Sequence, residues 1–338
     1  MNLILLNTVV DVLVVTRASV KRPTLFLTND DGLEALGLVS LIEGLHKTGF
    51  PLIVMAPARQ QSASGMRISL HHDLKFEDRE ELARQIRIPG GPKLKMFSLD
   101  GTPCDCVIVA LDGGIKHWTP DLIPALCISG INNGPNLSVD VMHSGTVSAA
   151  REAGLYGLPS ISTSLATYEH ENYQESVDAT IQVIEACVAV LPQESINLLR
   201  PSGTLENSDA TNIHEEIISA FSHGNLMLNI NVPQVWRNGF QTVPLGARWY
   251  HNAIDMSDTE HMGVAYEVGA ARIVDEDIPN TDCNAINAGS VAVTPLSCWP
   301  NNHPLGLSEF LLESATAIAD RHDIEVLPVW ADFTKGHP

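Results

Sequence analysis

The segment LFLTNDDGLEALG, residues 25–37, places two adjacent acids between a short apolar run and a second apolar pattern. Residues 25–28 have the length and composition of a buried parallel strand, and Gly32 supplies a permissive turn. Beyond it, leucine and isoleucine recur every three or four residues until Gly49, which predicts an amphipathic helix. Asp30 and Asp31 are therefore predicted in a strand-to-helix turn at the carboxyl end of a strand, where open parallel sheets bind ligands.

Two interpretations of this acid pair are open at this point. Adjacent carboxylates repel each other unless a cation compensates their charge. A hard divalent cation would do so, because it prefers oxygen ligands. Alternatively, one acid caps the following helix while the other is solvated, since aspartate is common at helix N-termini for structural reasons.

The surrounding sequence repeats the same order of strand and helix. FPLIVMAPA, PDLIPALCISG and LPSISTSL read as strands, while GTPCDCVIVALDGG and HSGTVSAAREAGLYG read as helices. This alternation over residues 24–165 predicts an α/β fold with three layers, a Rossmann-like, mostly parallel sheet covered by helices on both faces. The segment 71–99, ending in KLKMFSL, is predicted as a hairpin or excursion.

The later sequence predicts further elements of both kinds. Residues 174–192 and the region from Leu307 to Asp320 read as helices. The predicted strands are LMLNINVP, GVAYEVG, ARIV, SVAVTPL and IEVLPVW.

Composition divides the chain into four segments. Residues 1–22 are an apolar extension without a basic start, too short to span a bilayer, and their role is open. Residues 23–200 form the predicted catalytic core, and 201–225 a polar surface insertion. Residues 226–338 continue the same domain, and the C-terminal third is predicted as a dimerisation arm or a substrate lid.

The net charge and the cysteine content restrict the possible binding partners and the cellular compartment. The 338-residue chain carries 40 acids against 20 basic residues, a net charge of −20, which disfavours duplex nucleic acid and anionic membranes. A small phosphorylated substrate is compatible with this negative charge if a bound metal supplies positive charge at the site. The six cysteines lie mostly in apolar segments, so we expect free thiols, a reducing compartment and a cytoplasmic protein.

Polar residues gather in the loops that follow the predicted strands. The loops at 29–31, 61–64 and 129–136 offer carboxylate, hydroxyl and amide oxygens, a set that suits Mg²⁺ or Mn²⁺ better than Zn²⁺. The loop at 143–146 opens a helix, and a helix start offers unpaired N–H donors to an anion.

The motifs TNDDG, VMAPARQQSASG, GTPCDCV, SGINNGPN, HSGTV, LNINVP and TDCNAINAGSVAVTPL follow in this order. With them the sequence resembles the survival protein SurE family of metal-dependent nucleoside monophosphate phosphatases. The resemblance implies a compact α/β core whose C-terminal portion forms homodimers or homotetramers. It also implies removal of phosphate from nucleoside 5′- or 3′-monophosphates. Ala58 stands where this family usually has aspartate, and Ser138 where it usually has glycine.

The resemblance assigns a divalent cation to Asp30, Asp31, Ser62 and Asn132. Two of these positions have competitors in the sequence. Ser64 lies two residues from Ser62 and would share its side of an extended loop. Asn133 adjoins Asn132, and asparagines in tight turns often serve backbone conformation alone.

The predicted substrate-binding residues also have structural alternatives. Asn136 either binds substrate or closes an Asx turn. Ser144, Gly145 and Thr146 are predicted to cradle phosphate, and Ser144 can cap the helix at the same time. His143 is a candidate general acid, although a single loop histidine is more often incidental.

The hypothesis that follows is direct phosphate ester hydrolysis by a metal-activated water, with Asp30 or Asp31 orienting that water. A covalent aspartate mechanism of the haloacid dehalogenase type is disfavoured, because its second acid stands two residues after the first. A non-catalytic nucleotide-binding or regulatory protein that retains the metal loop stays an alternative. A Rossmann oxidoreductase is excluded because no G-x-G-x-x-G follows the first strand.

Overall fold

A nine-stranded sheet forms the centre of the computed structural model, which describes residues 22–169, 172–204, 210–259, 263–269, 272–316 and 330. Its strands lie in the order β3-β4-β2-β1-β5-β6-β7-β13-β8. Their bounds are β1 (Thr24–Thr28), β2 (Leu52–Pro57), β3 (Phe76–Asp78), β4 (Leu94–Leu99), β5 (Pro124–Asn133), β6 (Ser160–Leu165), β7 (Leu226–Val232), β8 (Phe240–Thr242) and β13 (Val291–Ser297).

The six strands from β4 to β7 are parallel, whereas β3 and β13 run antiparallel to β4 and β7. The helices are α1 (Leu36–Lys47), α2 (Glu80–Ile86), α3 (Pro103–Val109), α4 (Ile115–Trp118), α5 (Asp140–His143), α6 (Gly145–Leu155), α7 (Gln174–Val190), α8 (Ile213–Ser222), α9 (Asp282–Asn287) and α10 (Glu309–Thr316).

Alternating strand residues face two separate cores, as expected for a sheet buried on both faces. Leu25 and Leu27 of β1 face a core that includes residues of α1, α7 and α8, while Phe26 faces residues of α3 and α6. The predicted three-layer α/β fold is therefore confirmed.

Two helix starts show why the sequence begins helices where it does. Thr102 and Asp105 form a capping box at α3, with Pro103 at the first helical position. Ser144 caps α6, since its hydroxyl accepts a hydrogen bond from the Val147 N–H. Both helices were predicted at these places.

Two predictions about chain organisation were incomplete. Of the two alternatives for segment 71–99, the antiparallel pairing of a hairpin is observed between β3 and β4. KLKMFSL is not an excursion, because as β4 it also pairs in parallel with β2 inside the sheet. The segment 201–225 is not purely a polar surface insertion either, because α8 buries Ile217 and Phe221 against the core. Its isoleucine and phenylalanine spacing supplies one apolar helix face despite many polar residues. Predictions for residues 1–21 and for all but Trp330 of IEVLPVW lie outside the described residues.

Four further strands form an extension beside the sheet. These are β9 (Arg248–His251), β10 (Ile254–Thr259), β11 (Gly263–Val268) and β12 (Arg272–Asp275). β9 pairs with β12, and β10 pairs with β11 as an antiparallel hairpin. The hairpin exposes several large apolar side chains, namely Ile254, Met256, Val264, Tyr266 and Val268. GVAYEVG and ARIV are thus strands, as predicted.

The six cysteines are buried and unpaired, which confirms the prediction of free thiols. In the part of the chain that the structure describes, we find no helix whose length and hydropathy would suffice to cross a bilayer.

Candidate functional site

The turn after β1 is held by the side chain of Asn29. Its amide nitrogen donates to the Gly32 carbonyl over 2.8 Å, and its amide oxygen accepts from the Gly32 N–H over 3.2 Å. Gly32 has a φ of +104°, a conformation that glycine adopts without steric cost. The turn therefore fixes the backbone of Asp30 and Asp31 between these two anchors.

Asp30 is almost fully buried, with 4% of its surface exposed. One carboxylate oxygen accepts a hydrogen bond of 2.5 Å from the Thr146 hydroxyl. The pKa of Asp30 is raised to about 6, mainly by burial and also by the neighbouring Asp31 charge, while the hydroxyl and backbone N–H of Thr146 oppose the rise. The first acid thus lies against the N-terminus of α6.

Asp31 is half-buried and meets the end of β5. Its Oδ2 accepts from the Asn133 N–H over 3.1 Å, and Gln60 donates to its Oδ1 over 3.5 Å. Burial raises the pKa of Asp31 as well. These donors only partly offset the proximity of two carboxylates, so the turn keeps an affinity for positive charge.

Asn132 is oriented toward the same place. Its Nδ2 donates to the Gly134 carbonyl over 2.9 Å, and its Oδ1 lies 3.4 Å from the Thr146 hydroxyl. Because the nitrogen is anchored on the loop, the oxygen faces the acids. The neighbouring Asn133 is exposed and contacts Asp31 through its backbone. The structure therefore brings Asp30, Asp31 and Asn132 together.

The two serines of the QQSASG loop differ in environment. The Ser64 hydroxyl oxygen is buried and has no hydrogen-bond partner among the described residues. It lies beside Asp30, since a Cβ built on Gly145 would come within 2.5 Å of Ser64 Oγ and 2.8 Å of Asp30 Oδ2. Ser62 is exposed, and its hydroxyl makes no hydrogen bond with the described part of the chain. Sequence spacing alone gave no means of telling these environments apart.

The N-terminus of α6 approaches the acids closely. Ser144 is 7% exposed, and its hydroxyl accepts from the Val147 N–H over 3.0 Å. Gly145 has no room for a side chain, because Asp30 and Ser64 occupy the space where a Cβ would lie. The bare backbone of this turn therefore lies against the carboxylates, with the positive end of the helix dipole toward them. His143, the preceding candidate acid, is exposed on α5.

Asn136 is buried, with 5% of its surface exposed, and its polar groups are bonded within the fold. Its N–H donates to Asn231 over 2.8 Å, and its amide nitrogen donates to Ser164 over 2.8 Å. Its carbonyl accepts from both Asn229 and Asn231 of β7. These contacts fix the GPN loop on the sheet, and substrate binding by Asn136 stays a prediction. The two buried asparagines of β7 were not singled out from the sequence, although their alternation in LNINVP was visible.

Ser138 joins this loop to the extension. It has a φ of +50°, which explains why glycine would also suit the position. Its hydroxyl donates to the Gly246 carbonyl over 2.8 Å and accepts from the Arg248 N–H over 3.0 Å, while its own N–H donates to Asp282. The departure from glycine therefore adds contacts that glycine cannot make.

A buried ion-pair network lies below Ser138, and sequence reasoning missed it. Arg248 donates to Asp140 over 2.8 Å and to both oxygens of Asp275 over 2.7 and 2.9 Å. The Tyr250 hydroxyl donates to Asp140 as well. Fully desolvated arginine–carboxylate pairs are costly to disrupt singly, so this network fixes β9 against α5.

The acid pair is the only anionic contribution to this oxygen cluster that the described residues provide. In the described ranges, no group of three or more histidine, cysteine, aspartate or glutamate side chains is placed to hold a metal. A cation at this site would therefore depend on hydroxyl and amide oxygens in addition to Asp30 and Asp31.

Comparison with known proteins adds independent observations. The family described as survival protein SurE matches residues 25–252. Relatives named 5′-nucleotidase SurE include one from Natranaerobius thermophilus, 32% identical over 80% of this chain and 91% of its own length. Another, from Heliobacterium modesticaldum, is 32% identical over 88% of this chain and 95% of its own. The crystal structure of the SurE protein from Aquifex aeolicus superposes with a TM-score of 0.58 at 25% identity, covering 83% of this chain and 95% of that one.

Proposed function

The chain belongs to the survival protein SurE family, and from this premise we propose that it is a metal-dependent phosphatase of nucleoside 5′- or 3′-monophosphates. Its products would be the nucleoside and inorganic phosphate. The relatives' name, 5′-nucleotidase, supports the 5′ substrates in particular. The observation that carries the proposal is the oxygen cluster of Asp30, Asp31 and Asn132 at the N-terminus of α6.

The donor set fits a hard divalent cation, with Mg²⁺ or Mn²⁺ as our expectation. All its atoms are oxygens, and two belong to adjacent carboxylates. A second indication is the buried Ser64 hydroxyl beside Asp30, which lacks a partner in the described residues. Its position next to the acids leaves this oxygen available to a cation that they bind.

Asp30, Asp31 and Asn132 would hold the cation together with a serine of the QQSASG loop. Ser62 is the serine that the family resemblance assigns, and the burial of Ser64 next to Asp30 makes it the competing ligand. When bound, such a cation neutralises phosphoryl charge and lowers the pKa of a coordinated water.

The chain's own groups would position the phosphate. The helix start at Ser144, Gly145 and Thr146 offers backbone N–H donors and the positive end of the dipole, and both favour an anion. Because Gly145 lacks a side chain, Asp30 and Ser64 pack directly against this backbone, which keeps the N–H donors next to the proposed cation ligands. These fixed donors would stabilise the charge of the transferring phosphoryl group without rearrangement.

Phosphate release tests this function. Purified protein is incubated with nucleoside 5′- and 3′-monophosphates in the presence of Mg²⁺, Mn²⁺ or a chelator. We expect release with at least one metal and none with the chelator. Release that persists in the chelator would contradict metal dependence. No release from any substrate by folded protein would contradict the phosphatase and favour the nucleotide-binding alternative.

We also propose that the protein forms homodimers or homotetramers through the β10–β11 hairpin. The apolar side chains of Ile254, Met256 and Val264 are at least half exposed on this small two-stranded sheet. Exposed apolar clusters of this kind mark protein–protein contacts.

We propose a cytoplasmic location, supported by the six free thiols. Unpaired cysteines are typical of reducing compartments.

A further inference from the structure

Tyr168 lies directly on the loop that carries Asn132. A Cβ built on Gly134 would lie 2.2 Å from Cε1 and 2.7 Å from Cζ of the tyrosine, so the ring fills the space where a side chain would otherwise project. Gly134 accepts the hydrogen bond that orients Asn132. The aromatic ring is therefore seated on the bare backbone of the candidate metal-binding loop.

Much of the surface of Tyr168 is open to solvent. Tyr168 is 66% exposed although Gly134 covers part of it. Its hydroxyl makes no hydrogen bond with the residues that the structure describes. Partial burial and the Asp140 carboxylate raise the pKa of Tyr168, and Arg248 opposes the rise. The ring is thus a neutral, flat and solvent-exposed surface at physiological pH.

The distance from the acids suits a nucleoside. Gly134 follows Asn132 by two residues, so their Cα atoms lie at most about 7 Å apart along an extended chain. A phosphate bound beside Asp30, Asn132 and Gly145 would leave the ribose to cross this short distance. The base would then reach the exposed surface of Tyr168.

We propose that Tyr168 is a specificity-determining residue on which the nucleobase of the substrate stacks. This inference rests on the proposed nucleotidase function and adds the recognition of the base, which the oxygen cluster cannot supply. Every nucleobase has an aromatic face, so stacking would favour nucleotides over other phosphate esters without selecting one base strongly.

A comparison of two substrates isolates this contribution. Adenosine 5′-monophosphate and ribose 5-phosphate share the phosphate ester and the sugar, and only the first has a base. Tyr168→Ala should lower kcat/KM for adenosine 5′-monophosphate by at least about fivefold, mainly through KM, and leave ribose 5-phosphate unchanged. Equal effects on both substrates, or none on either, would overturn the inference.

Two control variants accompany this measurement. Tyr168→Phe keeps the ring and should behave as the wild type, because the hydroxyl has no partner among the described residues. Phe310→Ala removes another exposed aromatic side chain, on α10, and should leave both substrates unaffected. A loss in Tyr168→Phe as large as that in Tyr168→Ala would assign the effect to the hydroxyl and contradict stacking.

A binding experiment separates this inference from the proposed activity. Adenosine carries the base but no phosphate, so its binding does not depend on the proposed metal site. Its affinity for the wild type and for Tyr168→Ala can be measured by titration calorimetry. If the variant binds adenosine at least about fivefold more weakly, stacking of the base on Tyr168 is supported, even if no substrate releases phosphate. Equal affinity, or no adenosine binding by the wild type, would overturn it.

Discussion

At the scale of single residues, the site is organised by two adjacent carboxylates in a buried turn. Asp30 is the more buried acid, and Thr146 supplies both a hydroxyl and a backbone donor to it. Asp31 receives the Asn133 N–H. The donors hold the carboxylates in place while burial raises the pKa of each. Such an arrangement is typical of a functional site, since a structural turn gains nothing from it.

We expect Asp30→Asn to lower kcat/KM by more than about a hundredfold, because the neutral amide is a poor ligand for a hard cation. The fold should persist, since the amide has nearly the same shape and still accepts from Thr146. Phosphate release and circular dichroism would be measured together. The matched control is Asp178→Asn, an exposed acid on α7. A variant with more than a tenth of wild-type activity would exclude Asp30 as a ligand.

Glu152 is a buried acid outside the oxygen cluster. It is 8% exposed on α6, and burial together with the Asp105 carboxylate raises its pKa to about 7. Cys104 and Tyr156 lie within electrostatic range, as does Asp105. A carboxyl with a raised folded-state pKa binds its proton more tightly in the folded protein. Its contribution therefore destabilises the fold as pH rises from about 4.5 to 7.

Glu152→Gln should raise the free energy of unfolding at pH 8 by about 1–2 kcal/mol, because it removes the charge while the buried glutamine amide still loses its hydration. The gain should vanish below about pH 4.5, where the wild-type carboxyl is protonated in both states. Thermal unfolding at several pH values measures this, with the exposed Glu216→Gln on α8 as control. An equal gain at pH 4 and pH 8 would show that the charge is not its cause.

At the scale of elements, α6 serves both the core and the site. Its middle packs Ala149 and Ala153 into the core that contains Phe26. Its first turn lies so close to the acids that only glycine fits at position 145. The helix therefore transmits the rigidity of the sheet to the donors at its N-terminus. Sites held by regular elements keep their geometry better than sites on loops.

Gly145→Ala tests this close approach. Alanine is about 1 kcal/mol better than glycine within a helix, so global stability should change little. Its Cβ would nevertheless lie 2.5 Å from Ser64 Oγ and 2.8 Å from Asp30 Oδ2, and these groups must shift. We expect a loss of at least about tenfold in kcat/KM, given how strongly a displaced reacting group affects rate.

The control for this prediction is Ser148→Ala in the same helix. Its hydroxyl is buried without a partner in the described residues, so its removal should leave activity unchanged. Unchanged activity in Gly145→Ala would show that the site tolerates the displacement and that the close approach has no functional role.

At the scale of the whole molecule, the loop region that follows the candidate site in sequence is joined to later parts of the chain, including β9 of the extension. Ser138 and Asp140 of the loop region contact Gly246, Arg248 and Asp282. These contacts join segments more than 100 residues apart in the sequence. A displacement of the extension would therefore shift the backbone next to Asn136. We expect assembly through the hairpin to be coupled to the order of the GPN loop around Asn136.

The hairpin prediction concerns the cross-strand pair Met256 and Tyr266, which are 68% and 64% exposed. Replacing both with glutamate places two like charges opposite each other on an apolar surface, which opposes association. Light scattering should then report a species near the 36.6 kDa of one chain, against a multiple of it for the wild type. A wild type that is already monomeric, or a variant of unchanged mass, would contradict assembly through this surface.

Much of the fold was predictable because local patterns encode it. The apolar run before Asp30, the cap at Thr102 and the glycines after the helices each restrict only neighbouring residues. Asp31 follows β1 and Asn132 lies at the carboxyl end of β5, and parallel strands bring their carboxyl ends to one edge. Helix α8 and the place of β4 inside the parallel sheet were missed, because charged residues obscured the apolar positions that these elements bury.

The sequence by itself determined the α/β order, the paired acids in a strand-to-helix turn and the oxygen character of the site. Only the tertiary structure decided which serine lies buried beside Asp30, where Asn136 is fixed and how Ser138 holds the extension. It also placed Tyr168 on Gly134. The physical reason is that backbone preferences and hydrophobic periodicity act over a few residues, whereas hydrogen bonds and close contacts between distant segments depend on how those segments pack.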